Sequence, residues 1–405
     1  MRKPLTFQIT STSSSCAART GLVEVAHGTF ETPAFMPVGT RGSVKGLLPD
    51  SVAETGAEIV LGNAFHLMDR PGDELIASLG GLHEFMRWSG PILTDSGGFQ
   101  AWSLADTNSI SEDGVRFRSM VDGRSMELTP ERSIEIQNNL GADIIMAFDD
   151  CPPSVDAGPR MSSQRPALAS AHAKQVGADH RRRLSDAVAR TDRWLERCVT
   201  AHARPDDQAL FGIMQGGADP ELRQLSASQI TQFDLPGYAI GGVAVGEPSE
   251  VIASTVSMAA PLLPPDRPRY LMGVGYERDI LAAVRAGIDM FDCVLPTRNG
   301  RNGGVFTAKG RIQVRNARFR ADERPIDPSC DCVCCQEGYS RAYLRHLMQA
   351  GEMLGPILLS LHNLRHFQRL LVDIRQAIRD DAWSSLVRAW PVLDQASEAH
   401  QGEGF

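Results

Sequence analysis

Short unbroken apolar runs recur along the chain, separated by longer stretches of helical periodicity. The runs are Ala34 to Val38, Ile59 to Asn63, Pro91 to Asp95, Ile144 to Asp149, Leu210 to Gln215, Tyr238 to Val243, Tyr270 to Val274 and Met290 to Leu295. A strand buried on both faces reads as a continuous apolar run rather than an alternating one, and helices between such strands imply parallel pairing. Arg165 to His202, Pro220 to Phe233, Pro248 to Leu262 and Arg278 to Gly287 supply helical segments. Eight strand–helix units predict an α/β fold of the (β/α)8 barrel type. Two additions interrupt the series. Leu22 to Glu31, with a His27-Gly28 turn, predicts an N-terminal hairpin that closes the barrel's bottom, and Gly114 to Leu128, with Asp113-Gly114 and Asp122-Gly123 turns, predicts an inserted β-ribbon. The expected division is a barrel with insertions over 1–320, a small subdomain with C-terminal helices from about Ser340 to Trp390 over 321–395, and a polar, frayed tail over 396–405.

Composition narrows the setting. The 405 residues are 42% hydrophobic and 22% charged, which suits a globular fold and excludes a disordered chain. There is no run of the eighteen or so apolar residues that a spanning helix needs, and Met1 to Thr6 leads into a Ser/Thr stretch instead of an apolar leader. A cytoplasmic protein with no membrane partner is expected. Four of the eight cysteines, Cys330, Cys332, Cys334 and Cys335, crowd into six residues, too close for sensible disulfides among themselves. Zn2+ in a structural site takes four tetrahedral thiolate or imidazole ligands, so three of these cysteines and a downstream histidine predict a closed structural zinc site. The spacing leaves open whether Cys332 or Cys334 is the middle ligand, and whether the fourth is His362, His366 or His346. The formal net charge of −8 argues against nucleic acid, but it averages an uneven chain. Between Val294 and Arg320 stand Arg298, Arg301, Lys309, Arg311, Arg315, Arg318 and Arg320 with no acidic residue, a segment placed to hold phosphates. Phosphate-loop, dinucleotide and HExxH signatures do not occur in the sequence.

Barrel chemistry sits at the C-terminal ends of the strands. There the runs end in Asn63, Asp95-Ser96-Gly97-Gly98, Asp149-Asp150, Gln215-Gly216-Gly217, Gly241-Gly242, Gly273 and Asp292-Cys293. An Asp after a strand is by default a helix cap or turn residue. Asp292 departs from that default, because it interrupts an apolar run where burying a carboxylate is costly. Three carboxylates, one amide and open backbone suit a planar purine whose N1–H and 2-amino group donate to carboxylates and whose O6 accepts from amides. A further carboxylate near a ribose could attack its anomeric carbon, so the inventory fits N-glycosidic chemistry on guanine.

Four long motifs then carry a resemblance. Leu93-Thr94-Asp95-Ser96-Gly97-Gly98-Phe99-Gln100, Phe211 to Gly217, Ala239 to Glu247 and Asp289 to Gly303 are similar in order and content to the signatures of bacterial-type tRNA-guanine transglycosylases, over about residues 7 to 375. The resemblance implies a zinc-containing (β/α)8 barrel, a homodimer, that exchanges guanine at the wobble position of tRNAs with GUN anticodons for preQ1 in queuosine biosynthesis. It implies Asp292 as the nucleophile of a covalent ribosyl intermediate and Asp95 as acid/base. Base contacts are implied for Asp95, Ser96, Asp149, Gln215, Gly242 and the Val243 carbonyl, with Phe99 and Met272 sandwiching the base. Arg298 and Arg301 would meet the tRNA anticodon loop, Cys151 and Val245 would narrow the pocket against queuine, and Cys330, Cys332, Cys335 and His362 would bind one Zn2+. Guanine and preQ1 are the implied small substrates, and neither ATP nor a redox cofactor is needed.

Overall fold

Alternation along each barrel strand decides what fills the interior and what the helices cover. The structure, a computed structural model, describes residues 3–99, 109–119, 121–154, 180–245 and 247–394. Three antiparallel strands, β1 (Thr6–Thr12), β2 (Arg19–Val25) and β3 (Gly28–Thr32), precede the barrel. The barrel strands follow as β4 (Ala34–Met36), β5 (Val38–Gly39), β6 (Val60–Gly62) and β7 (Ile92–Thr94). An inserted antiparallel sheet holds β8 (Ser109–Ile110), β9 (Val115–Arg118) and β10 (Ser125–Leu128). The barrel then resumes with β11 (Ile144–Met146), β12 (Ala209–Met214), β13 (Gly237–Ile240), β14 (Arg269–Leu271) and β15 (Met290–Asp292), and β16 (Gly304–Val305) pairs with β17 (Ile312–Gln313) beyond it.

The parallel sheet runs β4-β15-β14-β13-β12-β11-β7-β6-β5 among the described residues. Its two ends are consecutive in the chain. The first apolar run is one strand divided at Pro37, which has no N–H for a ladder. The eight predicted strands are thus all present in an α/β barrel that nearly closes on itself. Met36, Leu61, Leu93, Ile144, Met146, Phe211, Ile213, Ala239, Tyr270 and Met290 pack inside it, whereas Phe35, Val60, Ile92, Ile145, Leu210, Ile240, Leu271 and Phe291 pack outward under the helices. The predicted hairpin gains a third strand, β1, and its buried Leu5, Val23, Val25 and Phe30 join the interior cluster and fill the barrel's N-terminal floor. The predicted helices appear as His180–Ala201, Pro220–Ile230, Ser249–Ala259 and Glu277–Arg285. Positions 165–179 of the first prediction, and the tail 396–405, lie outside the described residues.

The C-terminal helix Leu354–Asp380 carries two faces. Leu361, Leu364, Phe367, Leu370, Leu371, Ile374 and Ile378 recur at helical spacing and bury against the barrel's outer core. Leu358 and Leu359 face a separate cluster with the four crowded cysteines. Helix Leu295–Arg301 crosses it at backbone distance: a Cβ at Gly300 would stand 2.7 Å from the Ser360 nitrogen. No helix of the described residues is long and apolar enough to cross a membrane.

Candidate active site

Asp95, Gln215 and Asp292 share one geometric origin. Each lies two residues beyond an inward-facing apolar residue, Leu93, Ile213 and Met290 respectively, so strand alternation turns all three toward the interior at the C-terminal mouth. Asp149 reaches the same mouth from the loop after β11.

Asp95 accepts from the Ala64 N–H at 2.9 Å and from the Asn63 side-chain amide. Asn63 also caps helix Ala64–Asp69 through the His66 N–H, so it fixes a helix start and a site carboxylate together. Burial pushes the Asp95 pKa up to about 7, against the Ala64 hydrogen bond and with help from the charges of Asp292 and Asp149. Those couplings place the three carboxylates in one electrostatic site.

Asp149 accepts from the Gln215 amide at 2.6 Å and from the Ser96 hydroxyl at 3.4 Å. Burial takes its pKa to about 7 as well, opposed by Gln215 and reinforced by the Asp150 charge. Gln215 lies against Gly242, where φ is +62° and a Cβ would sit 2.4 Å from the amide oxygen, so a side chain there would strain the backbone and displace the Gln215 amide. Arg223, fully buried, donates to the carbonyls of Met214, Gly217 and Gly242 and so ties the β12 and β13 ends together. The Glu247 carboxylate accepts from the N–H groups of Ala244 and Val245 at 2.7 and 2.8 Å, holding Ala244 at a left-handed φ of +61°. Val243, Val245 and Cys151 are buried beside these groups, and burial, then the Asp149 charge, pushes the Cys151 thiol up to about 12, which keeps it a neutral wall. Phe99 is exposed and Met272 half-buried.

Asp292 ends β15 half-buried, and Tyr270 OH and the Gly273 N–H donate to the same oxygen, Oδ1, at 2.6 and 2.8 Å. Burial raises its pKa against those two donors. Burial, and then the Asp292 charge, raises the phenol of Tyr270 well above its ordinary value, so it stays a donor. Tyr270, Glu247 and Arg223 are the site residues that sequence reasoning missed. Inward alternation along its strand would have pointed to Tyr270; Glu247 closes one of the four motifs but was given no role, and Arg223 carries no sequence signal. Pro296 at the first turn starts helix Leu295–Arg301, which carries Arg298 and Arg301, both half-buried.

Away from the mouth, Cys330, Cys332, Cys335 and His362 bring their ligating atoms within 4.8 Å of one another. His362 Nδ1 stands 3.5 Å from Cys332 Sγ and 3.4 Å from Cys335 Sγ, close to the ligand–ligand edge of about 3.5 Å expected of a tetrahedral Zn–S/N site. Its Nε2 donates to the Phe306 carbonyl at 2.8 Å, which leaves Nδ1 for the metal. These four residues fit a zinc ion. The alternatives left by spacing resolve against Cys334, wholly buried in the apolar cluster, and against His366, which pairs with Glu277 at 2.8 Å.

A family model described as Queuine tRNA-ribosyltransferase matches residues 14–392. The Queuine tRNA-ribosyltransferase of Thermus thermophilus is 51% identical over 385 residues, 95% of this chain and 93% of its own length. That of Synechococcus elongatus is 51% identical over 384 residues, with 95% and 94% covered, and that of Staphylococcus aureus 48% over 377 residues, with 93% of each chain covered.

Proposed function

Because the chain belongs to the Queuine tRNA-ribosyltransferase family, a family of pentosyltransferase enzymes, we propose that it exchanges guanine at the wobble position of tRNAs with GUN anticodons for preQ1. The observation that carries this reading is the one-sided restraint on Asp292. Both donors fall on Oδ1, leaving Oδ2 as the atom that attacks the ribose C1′. The C1′–N9 bond breaks with its electron pair going to guanine, which Asp95 protonates; a carboxyl with a pKa of about 7 is matched to giving and retaking a proton near neutrality. The bond energy is retained in the Asp292 ester. The incoming base, deprotonated by Asp95, then attacks C1′ and releases the carboxylate, completing a double displacement.

Base selection falls to the buried wall. Asp149 grips the N1 and 2-amino edge, Gln215 and the Gly242 N–H face O6, Ser96 supports Asp149, and the Val243 carbonyl meets the aminomethyl group, with Phe99 and Met272 on the two faces of the ring. Val245 and Cys151 restrict the space beyond, so queuine is excluded. A splayed anticodon nucleotide needs phosphate partners. Arg301 suits that need: its Nη1 is buried with no hydrogen-bond partner among the described residues, and burial, then the neighbouring Arg298 charge, lowers its pKa, a penalty that a phosphate would relieve. One structural Zn2+ held by Cys330, Cys332, Cys335 and His362 would fix the C-terminal subdomain without entering the chemistry. The protein is proposed to act as a cytoplasmic homodimer. Purified chain incubated with unmodified tRNA and radiolabelled guanine or preQ1 should label the tRNA, and with a base analogue should give a denaturant-stable protein–RNA adduct. No label from either base overturns the reading.

A further inference from the structure

A second cluster of metal-type donors occupies the barrel's N-terminal floor, opposite the mouth. His27 sits on the turn between β2 and β3, His83 on helix Gly81–Met86, and Asp143 just before β11. His27 Nδ1 is 2.7 Å from Asp143 Oδ1, and His83 Nε2 is 3.2 Å from Oδ2. The two imidazoles stack with centroids 3.6 Å apart, and the three ligating atoms lie within 4.8 Å of one another. The carboxylate is fully buried and already oriented by the His27 and Ile92 backbone N–H groups at 3.0 and 2.8 Å. An independent observation gives the cluster room: both rings border a cavity of about 750 Å³ whose other walls include Glu84, Ser89, Asn138 and Arg204.

We propose that His27, His83 and Asp143 form a second metal site, for a divalent ion of the Zn2+, Co2+ or Ni2+ class, with a water on the cavity side as fourth ligand. Two imidazoles and one carboxylate select these ions over Mg2+ and Ca2+, which prefer all-oxygen shells. Metal–ligand bonds of about 2.0 to 2.1 Å put tetrahedral N···O edges at about 3.3 Å. His83 Nε2 is at that separation from Oδ2, whereas His27 Nδ1 lies 2.7 Å from the other oxygen, Oδ1, so the His27 side chain, 43% exposed on a turn, must swing off Oδ1 to share an ion held by Oδ2. Each neutral ring ligates without net proton release: the proton it now donates to Asp143 moves through solvent to its other ring nitrogen, and an imidazolium ring would release one. The two backbone N–H groups stay on the carboxylate and orient it, as partners of ligating carboxylates do. Such an ion would clip the β2–β3 turn to the barrel proper, joining three elements that are distant in sequence.

The test uses the full chain with one equivalent of Co2+ in its cysteine cluster, titrated with further Co2+ and followed by visible difference absorption, metal content and Tm. The expected result is one further equivalent, with weak d–d bands free of thiolate charge transfer, and a rise in Tm. The variants His27→Gln and His83→Gln should each lose that equivalent and the Tm rise while keeping the metal of the cysteine cluster and its thiolate spectrum. Gln keeps a donor for Asp143, so these variants preserve the fold better than removal of the carboxylate. Absence of a second equivalent in the wild type, or its survival in the double variant, overturns the proposal.

Discussion

The mouth and the floor of the barrel bury carboxylates to a similar depth and treat them in opposite ways. At the floor, burial pushes Asp143 up, but two backbone N–H groups and two imidazoles outweigh it and hold the pKa below the ordinary value. At the mouth, Asp95 and Asp149 also accept hydrogen bonds, but burial with neighbouring negative charge outweighs them and takes both to about 7. Burial alone therefore does not decide the state of an interior carboxylate. The number of N–H groups aimed at it, set against nearby like charge, does. The floor uses its carboxylate as an anchor, while the mouth keeps its carboxylates available for protons and ligand donors.

The largest effect should come from breaking the mouth at its chemical centre. Asp292→Asn should cut exchange by about 10³-fold or more, abolish the denaturant-stable adduct and leave folding and tRNA binding near wild type. An exchange rate near wild type would remove Asp292 from the reaction. Next comes the stability contrast, read from urea unfolding at equal metal content. Asp143→Asn should cost about 2 to 4 kcal/mol, since it leaves buried donors facing an amide, whereas Asp149→Asn should be neutral or stabilising. Equal losses would erase the distinction between the two ends. The pH dependence sharpens it. With folded pKa values of about 7, Asp95 and Asp149 favour the native state fully below the unfolded value of 3.8, and that contribution is lost as pH rises from about 4 to 7. Asp143, depressed in the fold, contributes above 3.8, and its contribution disappears as the pH falls below that value.

Smaller effects probe the mouth's wall and its restraint. Val245→Gly should admit queuine and reduce discrimination by the roughly 1 to 3 kcal/mol typical of small apolar pockets, measured as the ratio of kcat/KM values. Efficient use of queuine by the wild type would contradict the proposed wall. Tyr270→Phe should lower kcat about tenfold and move the acid limb of the pH profile upward, because Asp292 loses one of two donors, with KM for tRNA unchanged. An unshifted profile would make Tyr270 a packing residue only.

Much of this arrangement was legible in the chain. Continuous apolar runs located all eight strands because each is buried on both faces, and the polar residues at Asn63, Asp95, Asp149, Gln215 and Asp292 marked the mouth. What escaped depends on contacts between elements distant in sequence. Arg223 acts through carbonyls on two other strand ends, Glu247 through N–H groups that only a left-handed Ala244 presents, and Tyr270 through the register that sets β14 beside β15. The strand β1 was hidden because its residues are mostly exposed and polar, so its pairing leaves no apolar signature. Crowded cysteines announced a metal site, but only the helix bearing His362 chose among them.

The packed floor also bears on traffic. With Leu5, Val23, Val25 and Phe30 filling the lower end of the barrel, the proposed exchange leaves a base at the mouth no exit from below while its replacement waits above. Departure and arrival share one doorway, so the slot must empty before it refills. Release of the first base before the second enters gives parallel double-reciprocal lines when tRNA and the incoming base are varied, with the departing base competing against the incoming one.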